Sequence, residues 1–205
     1  MIVTCVTPDY VELALRLYDS MPDGSKPTIL HYKDQGSWVA NTLMKPVVAE
    51  RHWVERGRSE TIWLMDADLV YTGLEPLDPL WGLLEDADMA VCFHDDEEWR
   101  HPDQMVSAGV VGFAPTPEGA AAFADWSRSC ALVTNTPMRY PEQYELYDAT
   151  YVPLYLNDRE ARNIPLKYNA RPYSANQRDR MWDLKDEEIV LSHVPASREM
   201  KKRGS

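Results

Sequence analysis

Residues 61–72, Thr-Ile-Trp-Leu-Met-Asp-Ala-Asp-Leu-Val-Tyr-Thr (TIWLMDADLVYT), decide the fold. The run from Ile62 to Met65 has strand length and no polar side to turn to water, so it reads as a strand buried on both faces. It ends at Asp66, and Asp68 follows at a spacing of two, which puts both carboxylates on the same side of an extended chain. In open α/β sheets the ligand crevice lies at the carboxyl ends of such strands. Two like charges held there call for a cation, and hard divalent ions such as Mg²⁺ or Mn²⁺ prefer carboxylate oxygens.

The segments around this strand supply the architecture. MIVTCVT (1–7) is a β-branched strand, and VELALRLYDSM (11–21) places Leu13, Leu17 and Met21 at helical spacing before Pro22, Asp23 and Gly24 end the helix. PTILHY (27–32) is a second apolar run with a polar turn at Gln35 and Gly36. WVANTLMKPVVAERHWVERG (38–57) then predicts a helix with Val47, Val48 and Trp53 on one face, interrupted near Pro46. LDPLWGLLED (77–86) reads as helical and MAVCF (89–93) as a further buried strand. This β-α-β-α-β rhythm predicts an α/β fold: a three-layer α/β/α sandwich on a mostly parallel mixed sheet. Beyond it, HDDEEWRHPDQ (94–104) reads as a surface loop, VSAGVVGFAP (106–115) as a strand rich in small residues, and PEGAAAFADWSRSCALV (117–133) as a helix with an apolar stripe at Ala122, Phe123 and Trp126. IVLSHV (189–194) is the last apolar run, and no linker divides the chain, so residues 1–205 read as one domain.

Composition narrows the function. With Lys+Arg 21 against Asp+Glu 33, the net charge of -12 repels a phosphate backbone, which disfavours stable nucleic-acid binding. No run of about 18 apolar residues and no basic-then-apolar leader is present, so neither a membrane span nor a secretory signal is expected. Cys5, Cys92 and Cys130 sit apart among apolar neighbours, which suits reduced core thiols and a cytoplasmic location.

The ordered set of motifs resembles the nucleotide-sugar glycosyltransferases of the GT-A fold, whose signature is an apolar strand ending in Asp-x-Asp. IVTCVTPDY is similar to that family's first strand and turn, MKPVVAERHWVERGRSETIWLMDAD to its helix and strand leading into the motif, and NIPLKYN and IVLSHV to its closing segments. The resemblance implies a metal-dependent hexosyltransferase of glycogenin or galactosyltransferase type. It would move a sugar from a nucleoside diphosphate, UDP by family frequency, to a hydroxyl acceptor. That acceptor is a glycan, a protein, a small molecule or a modified nucleobase. Carried over residue by residue, it makes Asp68 a direct ligand of Mn²⁺ or Mg²⁺, gives Asp66 to metal or ribose, and gives His193 to the remaining protein position on the cation. Thr4, Thr7 and Tyr10 fall where base and ribose are cradled, and Lys45, ahead of the long helix, where it approaches the nucleotide. Ser107 and Gly109 stand beside the donor sugar, although the family's asparagine ahead of this turn is missing. Asp148 lies where an aspartate touches sugar or acceptor, Asp95 at the crevice edge, and Arg198 and Lys201 in a tail that folds over the diphosphate.

Bland readings stand beside these. A histidine ending an apolar strand is ordinarily structural, Asp148 suits a helix N-cap, and a basic terminus ordinarily frays. A second Asp-x-Asp, Asp86 to Asp88, precedes its strand, lies at the opposite edge of the sheet from the crevice, and is assigned no chemistry. The rival enzyme is a phosphohydrolase of the haloacid-dehalogenase type, with Asp66 as nucleophile and Asp68 as acid and base. That scheme wants the motif on the first strand, whereas two elements come first here. A nucleotidyltransferase lacks its Gly-rich loop. A non-catalytic protein that binds sugar nucleotide is the remaining alternative.

Overall fold

The structure is a computed structural model that describes residues 1–93, 106–133, 145–146, 161–169 and 188–194. Its strands are β1 (Ile2–Val6), β2 (Thr28–His31), β3 (Ile62–Met65), β4 (Leu69–Tyr71), β5 (Met89–Phe93), β6 (Val106–Phe113), β7 (Ala161–Asn163) and β8 (Leu191–His193). Its α-helices are α1 (Val11–Ser20), α2 (Trp38–Glu55), α3 (Asp78–Trp81) and α4 (Pro117–Leu132). Among the described residues, six strands form one sheet in the order β2-β1-β3-β6-β5-β7, and β4 pairs with β8 in a separate two-stranded sheet.

The main sheet is mostly parallel, as the rhythm of elements predicts, with one reversal. β1 runs parallel to β2 and β3, and β5 parallel to β7, whereas β6 is antiparallel to both β3 and β5. β1, β3 and β6 are buried along their whole length. Side chains alternate between two apolar layers. On one face, Val3, Ile62, Leu64, Val111 and Phe113 pack under α2 and α4 with Trp53, Phe123 and Trp126. The Phe113 and Phe123 rings stack with centroids 4.3 Å apart, an arrangement that adds about 0.5–1.5 kcal/mol beyond burial alone. On the other face, Ile2, Trp63 and Met65 meet Leu17 of α1, Leu80 of α3 and Leu69 and Leu191 of the small sheet. The three-layer expectation therefore holds, with the β4–β8 ribbon sharing the second layer.

The helices start where their caps dictate. The Ser37 hydroxyl accepts from Ala40 N at 3.1 Å to open α2. The Thr116 hydroxyl accepts from Gly119 N at 3.0 Å and donates to the Asp88 carboxylate at 2.7 Å to open α4, with Pro117 at the first helical position. α2 stops at Gly57, whose φ of 75° lets Arg58 N bond back to Trp53 O at 3.0 Å.

Three expectations are corrected. Pro46 does not interrupt α2: it lies inside the helix and faces the core, so the buried side is Thr42, Leu43, Pro46, Ala49 and Trp53, with Val47 and Val48 half-buried at its margin. An internal proline removes one backbone hydrogen bond, and burial of its ring offsets that loss. Lys45 consequently sits mid-helix, not ahead of it. Residues 77–86 form only the single turn α3 followed by a 3-10 turn at Gly82–Leu84. No helix among the described residues is long and apolar enough to cross a membrane.

Candidate metal centre

The site grows from the end of β3. Asp66 N donates to Gly109 O at 2.8 Å and Leu69 N to Asp66 O at 3.2 Å, so the chain turns over residues 66–69 and enters β4. Within that turn Ala67 points into a small apolar cluster with Val6, Leu13 and Ala14, which leaves Asp66 and Asp68 on the opposite side. β8 then fixes the partner: Leu69 is opposite His193 in the antiparallel register, and Val194 N donates to Asp68 O at 2.8 Å. This register brings His193 Nδ1 to 3.0 Å from Asp68 Oδ1 although 125 positions separate the two residues in sequence. One ligand atom from each of Asp66, Asp68 and His193 lies within 4.8 Å of the others, and His193 is only 4% exposed. Two carboxylate oxygens and an imidazole nitrogen this close together form a donor set suited to a divalent cation such as Mn²⁺ or Mg²⁺.

Lys45 reaches into the same place. Its ammonium lies 2.5 Å from Asp66 Oδ1, and both side chains are mostly buried. Of these charged groups, one cation offsets one of two carboxylates, so the cluster keeps one formal negative charge for an added cation. Tyr10, closing the 3-10 turn after β1, is half-buried nearby; burial first, and then the Asp68 carboxylate, pushes its phenol above the usual range. Thr7 is buried, and its carbonyl accepts from Tyr10 N at 3.0 Å. Thr4 is fully buried in β1, and its hydroxyl has no hydrogen-bond partner among the described residues.

Ser107 and Gly109 lie in β6 at a break in register: Val91 pairs with Val111 but Cys92 with Ser107, so residues 108–110 bulge from the β5 side. Bulges of this kind re-aim chain beside functional sites. Gly109 is required by space as well. A Cβ there would fall 2.3 Å from Asn169 Oδ1 and 2.9 Å from His193 Nε2.

The structure thus gathers Asp66, Asp68, His193, Lys45, Tyr10 and Gly109 at one end of the sheet. Ser107 lies two residues from the glycine, its hydroxyl 3.4 Å from Gly109 N. Asp95, Asp148, Arg198 and Lys201, with the loop at 94–104, lie outside the described residues. Asp86 and Asp88 stand at the opposite end of β5, as expected. Asp86 bridges Arg162 at 2.9 Å, which holds its carboxyl below the usual range, and Asp88 braces the α4 cap. The three cysteines are buried thiols outside any disulfide, and burial pushes the Cys5 thiol up to about 12.

Two residues escaped the sequence reading. Asn169, fully buried after the 3-10 turn at Leu166–Tyr168, places Oδ1 3.0 Å from His193 Nε2. It lies in the segment NIPLKYN, and nothing in the spacing shows which of those residues faces the histidine. Tyr32 follows β2, donates its hydroxyl to Asn41 O at 2.8 Å, and has its phenol pushed up by burial, with the Lys45 ammonium acting against that rise. An aromatic residue at the carboxyl end of an apolar run was the available signal.

Comparison with solved structures places this geometry in a known architecture. The chain is similar to a glycosyltransferase involved in the glycosylation of the major capsid of PBCV-1, with a TM-score of 0.63, 11% identity, and cover of 100% of this chain and 98% of that one. The galactosyltransferase LgtC, solved with donor and acceptor sugar analogues, matches with a TM-score of 0.54 and 13% identity over 95% of this chain and 86% of its own. The glycosyltransferase GlyE of Streptococcus pneumoniae TIGR4 gives 0.56 and 14% over 94% of this chain and 53% of its own. No family model and no curated protein matches the chain. The fold is that of the GT-A glycosyltransferases.

Proposed function

We propose that the chain, working as one domain over 1–205, is a metal-dependent glycosyltransferase that moves a hexose from a nucleoside diphosphate sugar, with UDP favoured, to a hydroxyl acceptor. The observation that carries this reading is the convergence of Asp66, Asp68 and His193 at the carboxyl end of β3 in a fold shared with glycosyltransferases. A divalent cation bound there supplies Lewis-acid charge that neutralises a departing diphosphate. Asp68 and His193 hold it, and Asp66 serves the cation or the donor ribose. Lys45 keeps the Asp66 carboxylate in place and brings positive charge toward the donor phosphates. Thr7 and Tyr10, after β1, cradle the nucleoside, with the Tyr10 ring as an apolar wall, whereas Thr4, fully buried within β1, offers it no surface. The bulge at residues 108–110, which follows Ser107 and contains Gly109, admits the sugar close to backbone. In the same reading Asp95 and Asp148 position or activate the acceptor hydroxyl, and Lys201 covers the diphosphate. Transfer in place of hydrolysis requires that these groups orient the acceptor and exclude water. Three buried thiols suit a reducing compartment, the cytoplasm.

The phosphohydrolase reading is disfavoured because Asp66 follows the third strand of the chain, where that scheme wants the first, in a glycosyltransferase architecture. Incubation with a panel of nucleotide sugars, with and without Mn²⁺, tests the proposal through release of nucleoside diphosphate. Metal-dependent release with a UDP-sugar is expected. Release of inorganic phosphate from a generic phosphomonoester, lost in Asp66→Asn, would support the phosphatase instead. Donor binding with no turnover across varied acceptors would support the binding protein.

A further inference from the structure

The His193 ring is held from two sides. Nδ1 faces Asp68 Oδ1 at 3.0 Å and Nε2 faces Asn169 Oδ1 at 3.0 Å. Asn169 is fully buried, and its amide nitrogen has no hydrogen-bond partner among the described residues. Gly109 gives the pair its room, since a side chain there would strike both Asn169 Oδ1 and His193 Nε2. A buried amide with one end unsatisfied is destabilising, so a fold that keeps one beside a candidate metal ligand calls for a reason.

We infer that Asn169 is a positioning residue for His193: it holds the ring so that Nδ1, not Nε2, is the nitrogen offered to a divalent cation beside Asp66 and Asp68. The inference rests on the metal reading given above and adds to it which nitrogen binds and what orients it. A neutral imidazole carries one N–H, and the nitrogen that binds a cation is the bare one. The Asn169 amide oxygen that faces Nε2 only accepts, so it holds the single N–H on Nε2 and leaves Nδ1 bare. With Nδ1 engaged, the proton resides on Nε2 and donates to the amide oxygen.

The experiment measures Mn²⁺ affinity, by the electron-paramagnetic signal of the free ion with and without UDP, for the wild-type protein and for Asn169→Leu, Asn169→Asp and Asp68→Asn. It also records the ring-nitrogen spectrum of ¹⁵N-histidine-labelled wild type with Zn²⁺. We expect Asn169→Leu to bind Mn²⁺ about 10–100-fold more weakly, the scale on which partners of metal-bound histidines act. Asn169→Asp, which keeps the acceptor, should stay within a few-fold of wild type, and Zn²⁺ should shift Nδ1 of His193. Wild-type affinity in Asn169→Leu, or Zn²⁺ on Nε2, overturns the inference and leaves the metal reading standing. Mn²⁺ binding by wild type that Asp68→Asn does not weaken, or no binding at all, overturns both. If Asn169→Leu does not fold, the nitrogen identified in the wild type decides.

Discussion

His193 meets Asp68 because β4 and β8 pair in one register: Val194 N bonds to Asp68 O, and the imidazole arrives 3.0 Å from the carboxylate. A slip of one residue in that ribbon would turn His193 to the other side and scatter the cluster. The ribbon is short, three residues a strand, so the site depends on contacts that steady it, including the Thr72 hydroxyl donating to Ile189 O at 2.6 Å.

Gly109→Ala tests the space behind the ring. Its Cβ would overlap Asn169 Oδ1 at 2.3 Å, and both neighbours are buried, so neither can move away freely. Urea denaturation should show a loss of about 1–3 kcal/mol, and Mn²⁺ affinity should fall with it. Unchanged stability would mean that the ring and amide are not packed against this glycine.

The Lys45–Asp66 pair tests how the aspartate is held. Lys45→Met leaves a mostly buried carboxylate without its ammonium and should cost about 1–3 kcal/mol by urea denaturation. Adding Asp66→Asn should recover part of that loss, with a coupling of about 0.5–3 kcal/mol in the double-mutant cycle. Additive single losses would show that the two groups do not interact.

Much of this was legible before the structure and some was not. The Asp66–Asp68 pair could be read because side chains alternate along a strand, and the buried strand before it because Ile62–Met65 has no polar face. The reversal of β6 could not be read, since VSAGVVGF is as apolar and small run forward as backward. Pro46 misled the reading of α2 because a proline buried in a helix lacks a backbone donor but gains packing, and only the packing depends on tertiary structure. Lys45 was misplaced for the same reason. Asn169 was hidden because its relation to His193 depends on how two segments 24 residues apart fold together. No local pattern records that.

Cys5 gives a pH dependence with a definite sign. Burial raises its thiol from an ordinary 9.0 to about 12 in the folded state, so the unfolded chain ionises first. The stability it contributes is whole below pH 9 and is lost as pH rises through 9 toward 12. Urea midpoints should fall from pH 8 to pH 10.5, and fall less in Cys5→Val. Iodoacetamide at pH 8 should leave Cys5 unmodified in the native protein. Rapid native alkylation would contradict the burial.

The most direct test of the account is thermal unfolding with Mn²⁺ and UDP for wild type, Asp68→Asn and Asp88→Asn. Ligand at about 100 times its dissociation constant stabilises a fold by about 2.7 kcal/mol, a rise in melting temperature that is easily resolved. The account predicts that rise in wild type and in Asp88→Asn, whose aspartate braces the α4 cap at the far end of β5, and its loss in Asp68→Asn. Equal stabilisation of all three proteins, or a loss confined to Asp88→Asn, would contradict it.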